Sequence, residues 1–169
     1  MNPRASLVLR KNISKRLELQ HQGMGDKMAV SLANSVRDLP FVESINIADN
    51  MLTDDGIGPI ILAAVDIPTL TELNISQNII GPVSSKALYD YLISEDCTLK
   101  ILVLNNADVD DFECSGFIEA VKQNKSLREL DLSRNLIGKA ENLNTVKGDI
   151  ITGSEAIADL LRSPECNLT

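Results

Sequence analysis

The sequence predicts an α/β solenoid, a stack of strand–turn–helix units with parallel strands on the concave face and helices on the convex face. Three observations predict it. An apolar frame, L-x-x-L-x-L-x-x-N-x-L, recurs along the chain at near-constant spacing. Each copy is followed by a Gly or Asp turn and a stretch with apolar residues at helical spacing. The core material is aliphatic: the 169 residues are 44% hydrophobic but only 3% aromatic, with no Trp. Such a composition favours repetitive packing over an aromatic pocket, and a fixed period decides architecture before any single residue does.

Number the places of the frame one to eleven. The first copy is degenerate, with Ser14 at place one, then Leu17, Leu19, Gln22 and Met24. The second carries Val42, Ile45, Ile47, Asn50 and Leu52, and the third Leu70, Leu73, Ile75, Asn78 and Ile80. The fourth has Leu99, Leu102, Leu104 and Val109, with Ala107 in place of Asn. The fifth has Leu127, Leu130, Leu132, Asn135 and Ile137. The place-four residues Leu17, Ile45, Leu73, Leu102 and Leu130 are separated by 28, 28, 29 and 28 residues. Asn167-Leu168-Thr169 reads as the threshold of a sixth copy, as in a chain that is part of something longer.

Between the frames, i, i+3, i+4 spacing marks one apolar helix face. It is seen in Ala29, Leu32, Ala33 and Val36, in Ala87, Leu88, Tyr91 and Leu92, in Phe117, Ile118 and Val121, and in Ala156, Ile157, Leu160 and Leu161. A lone strand–helix unit cannot cover its apolar face, so neighbours must stack. The organisation expected is a basic N-terminal segment, 1–12, and a repeat domain, 13–169, of about five units. The stretch after Gly138 is longer than the period needs and polar. Residues 139–149 are therefore expected to loop out of the stack, as a segment that is either functional or simply mobile.

These frames resemble the leucine-rich repeat family, and the 28–29-residue period with a helical second half resembles its ribonuclease-inhibitor-type subclass. The resemblance covers residues 13–169. It implies a right-handed α/β horseshoe arc that works as a protein-binding scaffold and carries no catalytic site. It also implies two alternatives, an activator-type regulator of a small GTPase and the sensor part of a larger receptor-like protein. In that family the frame's Asn bonds the backbone of the turn, so Ala107 is a departure. Cys97 and Cys166 hold the same place in their units, in Ser94–Leu99 and Ser163–Leu168, and are expected to be small buried packers too far apart to bond.

In a strand, alternate side chains face opposite ways. If places four and six face the core, places three, five and seven line the concave wall. Place three reads Arg16, Ser44, Glu72, Ile101, Glu129; place five reads Glu18, Asn46, Asn74, Val103, Asp131; place seven reads Gln20, Ala48, Ser76, Asn105, Ser133. Ile101 and Val103 are bulky apolar residues in a polar wall. They either meet a partner protein or seat other parts of the structure. The partner-binding candidates are Ile101 and Val103, flanked by Glu72, Asn74, Asn105, Glu129 and Asp131.

Composition narrows the chemistry further. The net charge is −8. Residues 1–37 carry +5 of formal charge and the remainder −13. An acidic body argues against nucleic acid, whose phosphates need clustered cations. A single histidine, His21, leaves no two-His metal site and weakens any Cys–His scheme. Asp108–Glu113 is acidic, but Phe112 and Glu113 stand where a calcium loop needs an oxygen ligand and a Gly. No cofactor, metal or catalytic residue is expected. Three cysteines without a close pair fit a reducing, cytoplasmic setting. Neither a signal peptide nor a membrane-spanning run is legible.

Overall fold

The computed structural model describes residues 15–39, 41–138 and 152–169. Five strands alternate with five helices: β1 (Arg16–Glu18), α1 (Gly25–Val36), β2 (Ser44–Asn46), α2 (Asp54–Ala64), β3 (Glu72–Asn74), α3 (Pro82–Ile93), β4 (Ile101–Val103), α4 (Asp111–Gln123), β5 (Glu129–Asp131) and α5 (Gly153–Arg162). The strands form one parallel sheet in sequence order. Their register places Leu17, Ile45, Leu73, Leu102 and Leu130 side by side. The period seen in the sequence is thus the rung of the sheet. The expected segments 1–12 and 139–149 lie outside the described residues.

Each strand is only three residues long because the chain turns at once. The place-eight residues His21, Asp49, Gln77, Asn106 and Arg134 all hold positive φ, between 49° and 60°. Non-glycine residues avoid that region unless the surroundings impose it. In three of the five units the turn is held by the Asn at place nine. Asn78 donates from Nδ2 to the carbonyls of Ile47, Ile75 and Ser76, and its Oδ1 accepts the N–H groups of Asn50 and Leu52. Asn50 and Asn135 repeat this pattern one unit earlier and two units later. Where Ala107 lacks the amide, the Ile80 N–H goes directly to the Ala107 carbonyl at 3.0 Å.

One continuous core runs through all five units. Leu17, Ile45, Leu73 and Leu102 are buried, as are Ile47, Ile75 and Leu104 at place six. Leu130 and Leu132 depart from the expectation of full burial. They are half-buried, because β5 is the last described strand and one flank of it has no following unit. Thr169 donates to the Arg128 carbonyl at 2.9 Å, as Arg128 does to Lys100 and Lys100 to Thr71. All three cysteines are free: Cys97 and Cys114 are buried, whereas Cys166 is only half-buried, for the same reason as Leu130.

A second ladder ties the helices together. Asp26 accepts the N–H and hydroxyl of Thr53 at 2.8 Å, just before α2. Asp54 accepts the N–H groups of Gly81, Val83 and Ser84 at the start of α3. Partial burial raises the Asp54 pKa, but the Ser84 hydroxyl and these N–H groups outweigh it and hold the carboxyl below its ordinary value. The next position in this column is Pro82, which cannot accept. There α4 caps itself: Asp110 takes the N–H groups of Phe112 and Glu113. Asp111 resumes the column, reaching Gly138 N at 3.0 Å and Gly153 N at 2.7 Å. Helix α5 adds a capping box between Thr152 and Glu155.

Candidate functional site

The concave wall is built by register. Rung three sets Arg16, Ser44, Glu72, Ile101 and Glu129 side by side. Rung five sets Glu18, Asn46, Asn74, Val103 and Asp131 side by side. Ile101 and Val103 project from the same strand on either side of the buried Leu102, so they share a face. Both are half-buried rather than open, because the flanking strands lie alongside β4. The structure therefore brings the sequence-predicted residues together: an apolar pair, with Glu72 and Asn74 on one side and Glu129 and Asp131 on the other.

The polar members divide into paired and unpaired. Glu72 is bridged by Arg16 at 3.0 Å, across the small buried Ser44. Asn74 Oδ1 accepts the Ser76 N–H at 3.0 Å and the Ser76 hydroxyl. Asp131 does the same for Ser133, with the N–H at 2.9 Å. Asn105 bonds the Ser133 hydroxyl. Glu129 is exposed and holds no ion pair among the described residues.

Place five has a local duty that Val103 does not perform. In β2, β3 and β5 the side chains of Asn46, Asn74 and Asp131 accept the N–H two residues on. This closes an Asx turn that steers the chain out of the strand. Val103 has no acceptor to offer. Its identity gives up a bond worth about 0.5–1.5 kcal/mol.

The other singled-out residues serve structure. His21 is exposed, with Nδ1 2.7 Å from Asp49 Oδ2. Asp110 and Asp111 of the acidic turn are engaged by main-chain N–H groups. Cys114 is buried, and burial followed by the charges of Asp111 and Asp110 pushes its thiol up to about 12. It stays a thiol at neutral pH. No helix among the described residues is long and apolar enough to cross a membrane.

Comparison with known proteins agrees with this architecture. A family model described as leucine-rich repeat matches residues 67–88 and 123–140. The ribonuclease inhibitor of Sus scrofa is 27% identical over 128 residues, covering 76% of this chain and 28% of the inhibitor. The human NACHT, LRR and PYD domains-containing protein 7 is 29% identical over 163 residues, covering 95% of this chain and 15% of that protein. The chain resembles leucine-rich-repeat proteins of the ribonuclease-inhibitor type. It spans less than a third of the length of either relative. Among solved structures, this repeat stack resembles the tropomodulin C-terminal domain of Caenorhabditis elegans. The TM-score is 0.66 at 14% identity, over 94% of this chain and 89% of that one. It also resembles leiomodin-1 actin-binding site 2, with a TM-score of 0.64 at 14% identity, over 93% of this chain and 84% of that one. At such identities the likeness is one of fold.

The sequence reading passed over another set of side chains. Met51, Ile79, Val83 and Phe112 are exposed large apolar residues on the strand-to-helix side. The signal that finds them is the repeat itself, which lets each residue be compared with its equivalents in the other units.

Proposed function

We propose that the chain is a protein-binding scaffold rather than an enzyme, and that a partner seats an apolar side chain on Ile101 and Val103 of its concave wall. The reading is supported most by Val103, which replaces an Asx-turn residue at a local cost and pairs with a second apolar residue two places away. Covering the pair removes roughly 100 Å² of apolar surface from water, which contributes about 2–3 kcal/mol. Glu129 and Asp131 on the open side favour a partner that brings cations to the rim, where they govern on-rate and salt dependence.

The test uses the repeat's own chemistry. Ile101→Ser with Val103→Asn gives β4 the residues that β2 carries at Ser44 and Asn46. The double variant should melt no lower than the parent, because the Asx turn is restored. Proteins captured by the parent from cell extract should be lost with the variant. Equal capture by both, with unchanged melting, removes the concave reading. A variant that unfolds would mean that these side chains belong to the core.

A second reading rests on the length comparison. The relatives that match 76–95% of this chain use the matching part as 11–15% of a larger NACHT, LRR and PYD domains-containing protein. The repeat stack would then be the recognition part of a receptor-like protein, with the same concave wall as its contact face. The small-GTPase alternative gains no support from these matches.

A further inference from the structure

In a repeat protein each position has internal controls, and one column breaks its own rule. The column one residue after Asp26, Asp54, Pro82, Asp111 and Gly153 reads Lys27, Asp55, Val83, Phe112 and Ser154. Three are polar, as a solvated site requires. Val83 and Phe112 stand on adjacent helices and remain 59% and 67% exposed. Place ten of the frame adds Met51 at 73% and Ile79 at 48% exposure, in a column where Leu136 is also apolar and 40% exposed. Single exposed apolar residues are ordinary, but four gathered at one end of three consecutive units mark a contact surface.

A groove runs beside this cluster. Between α3 and α4, a cleft of about 510 Å³ is walled by Pro82, Tyr89 and Phe112, with Ser85 and Gly116 at its narrow part. Gly116 keeps it open: a Cβ there would stand 3.0 Å from Ser85 Oγ. Lys86 also lines the cleft, but its charge is met by Asp90, and its ammonium lies 5.5 Å from the centre of the Tyr89 ring.

Charge decides the occupant. The strand-to-helix segments 49–56, 77–84 and 106–113 contain seven carboxylates and no Lys or Arg. Asp110 caps the helix that carries Phe112, its Oδ1 2.6 Å from Phe112 N, and stays ionised, because the Glu113 hydrogen bond and two N–H groups outweigh partial burial. Asp55 and Asp108 hold no ion pair among the described residues. An apolar slot beside a rim that carries carboxylates without an ion pair disfavours anionic surfaces and fits one chemistry: a bulky apolar side chain flanked by cations.

We infer that this rim is a second protein-docking surface, separate from the concave wall, for a polypeptide segment that places an aromatic or large aliphatic side chain between α3 and α4 and Lys or Arg against Asp55, Asp108 and Asp110. It does not depend on the concave reading.

The probe is the capped tripeptide Lys-Trp-Lys, titrated into the ¹⁵N-labelled protein while the amide spectrum is followed, with Glu-Trp-Glu as control. Lys-Trp-Lys should shift Ser85, Phe112, Ser115 and Gly116 in a saturable way, at least about fivefold more tightly than Glu-Trp-Glu. Phe112→Ser, which restores the residue found at position 154, should weaken the probe about tenfold. Asp55→Lys with Asp108→Lys, both at exposed positions, should abolish the preference for Lys-Trp-Lys. The Ile101→Ser, Val103→Asn protein should bind the probe as the parent does. Shifts confined to the concave strands, equal response to both peptides, or full binding by the Asp55→Lys, Asp108→Lys variant would overturn the proposal.

Discussion

Glu113 shows how much one residue of a repeat can depend on its neighbours. It lies in the first turn of α4 with its carboxyl against Asp110. Burial, then the hydrogen bond and charge of Asp110, push it up to about 7. The pair shares one proton, and Asp110 keeps the negative charge that caps the helix. A folded-state pKa above the unfolded value means that the unfolded chain ionises first. Stability from this group is therefore full below about pH 4.5 and is lost as pH rises through 7. Glu113→Gln keeps a neutral donor toward Asp110 and removes the titration. The variant should match the parent near pH 4 and melt higher than it at pH 8. A parent–variant difference that stays constant over that range would show that the proton is not shared. The same residue-by-residue view explains what was legible. Ile101 and Val103 stood out because their siblings Glu129 and Asp131 are charged. Val83 and Phe112 were hidden, because each lies in a stretch that reads as an ordinary amphipathic helix unless its column is compared.

Among the elements, strands were legible and helices less so. Places four and six carry Leu or Ile in every unit, so period two is strong even in strands of three residues. Helix α2 is the opposite case. Gly56, Gly58 and Pro59 lie within it and argue against a helix on propensity. Packing overrides them: a Cβ on Gly56 would stand 2.4 Å from Asp26 Oδ1, and one on Gly58 would stand 3.2 Å from Val83 Cγ1. Gly56 makes room for the Asp ladder, which no local pattern announces, because each carboxylate serves the next unit rather than its own. Asp111 is the ladder's busiest member. It is buried and holds the N–H groups of both Gly138 and Gly153, the two ends that flank the undescribed segment. Asp111→Ala leaves both donors partnerless and should cost about 1–3 kcal/mol in denaturant melting. The loss should be concentrated in α5, whose start it anchors. A cost below half a kcal/mol would mean that water replaces the carboxylate without penalty.

At the scale of the whole molecule, the fold is a one-dimensional stack in which strands and helices pack only against those of neighbouring units, with the Arg16–Glu72 ion pair reaching one unit further. Stability should therefore follow position in the stack as well as burial of the individual side chain. Leu102 is buried between β3 and β5, whereas Leu130 is half-buried on the last described strand. Leu102→Ala should cost about 2–5 kcal/mol, the range for a core truncation that cannot collapse. It should lower the melting of the entire chain, because its loss severs the contact between units on both sides. Leu130→Ala should cost clearly less, since half its contacts are already absent. The difference should also appear without mutation, in native-state hydrogen exchange. Helix α5 buries only Gly153 and Leu160, and β5 is covered on one side. Amides of β5 and α5 should open at lower free energy than those of β3 and β4, where every apolar rung is covered on both flanks. In Leu130→Ala the outer amides should exchange faster while those of β2 and β3 keep their parental rates. Uniform acceleration through all five units would show that the stack opens as a single cooperative block, and that coupling between neighbours exceeds the stability of any one of them.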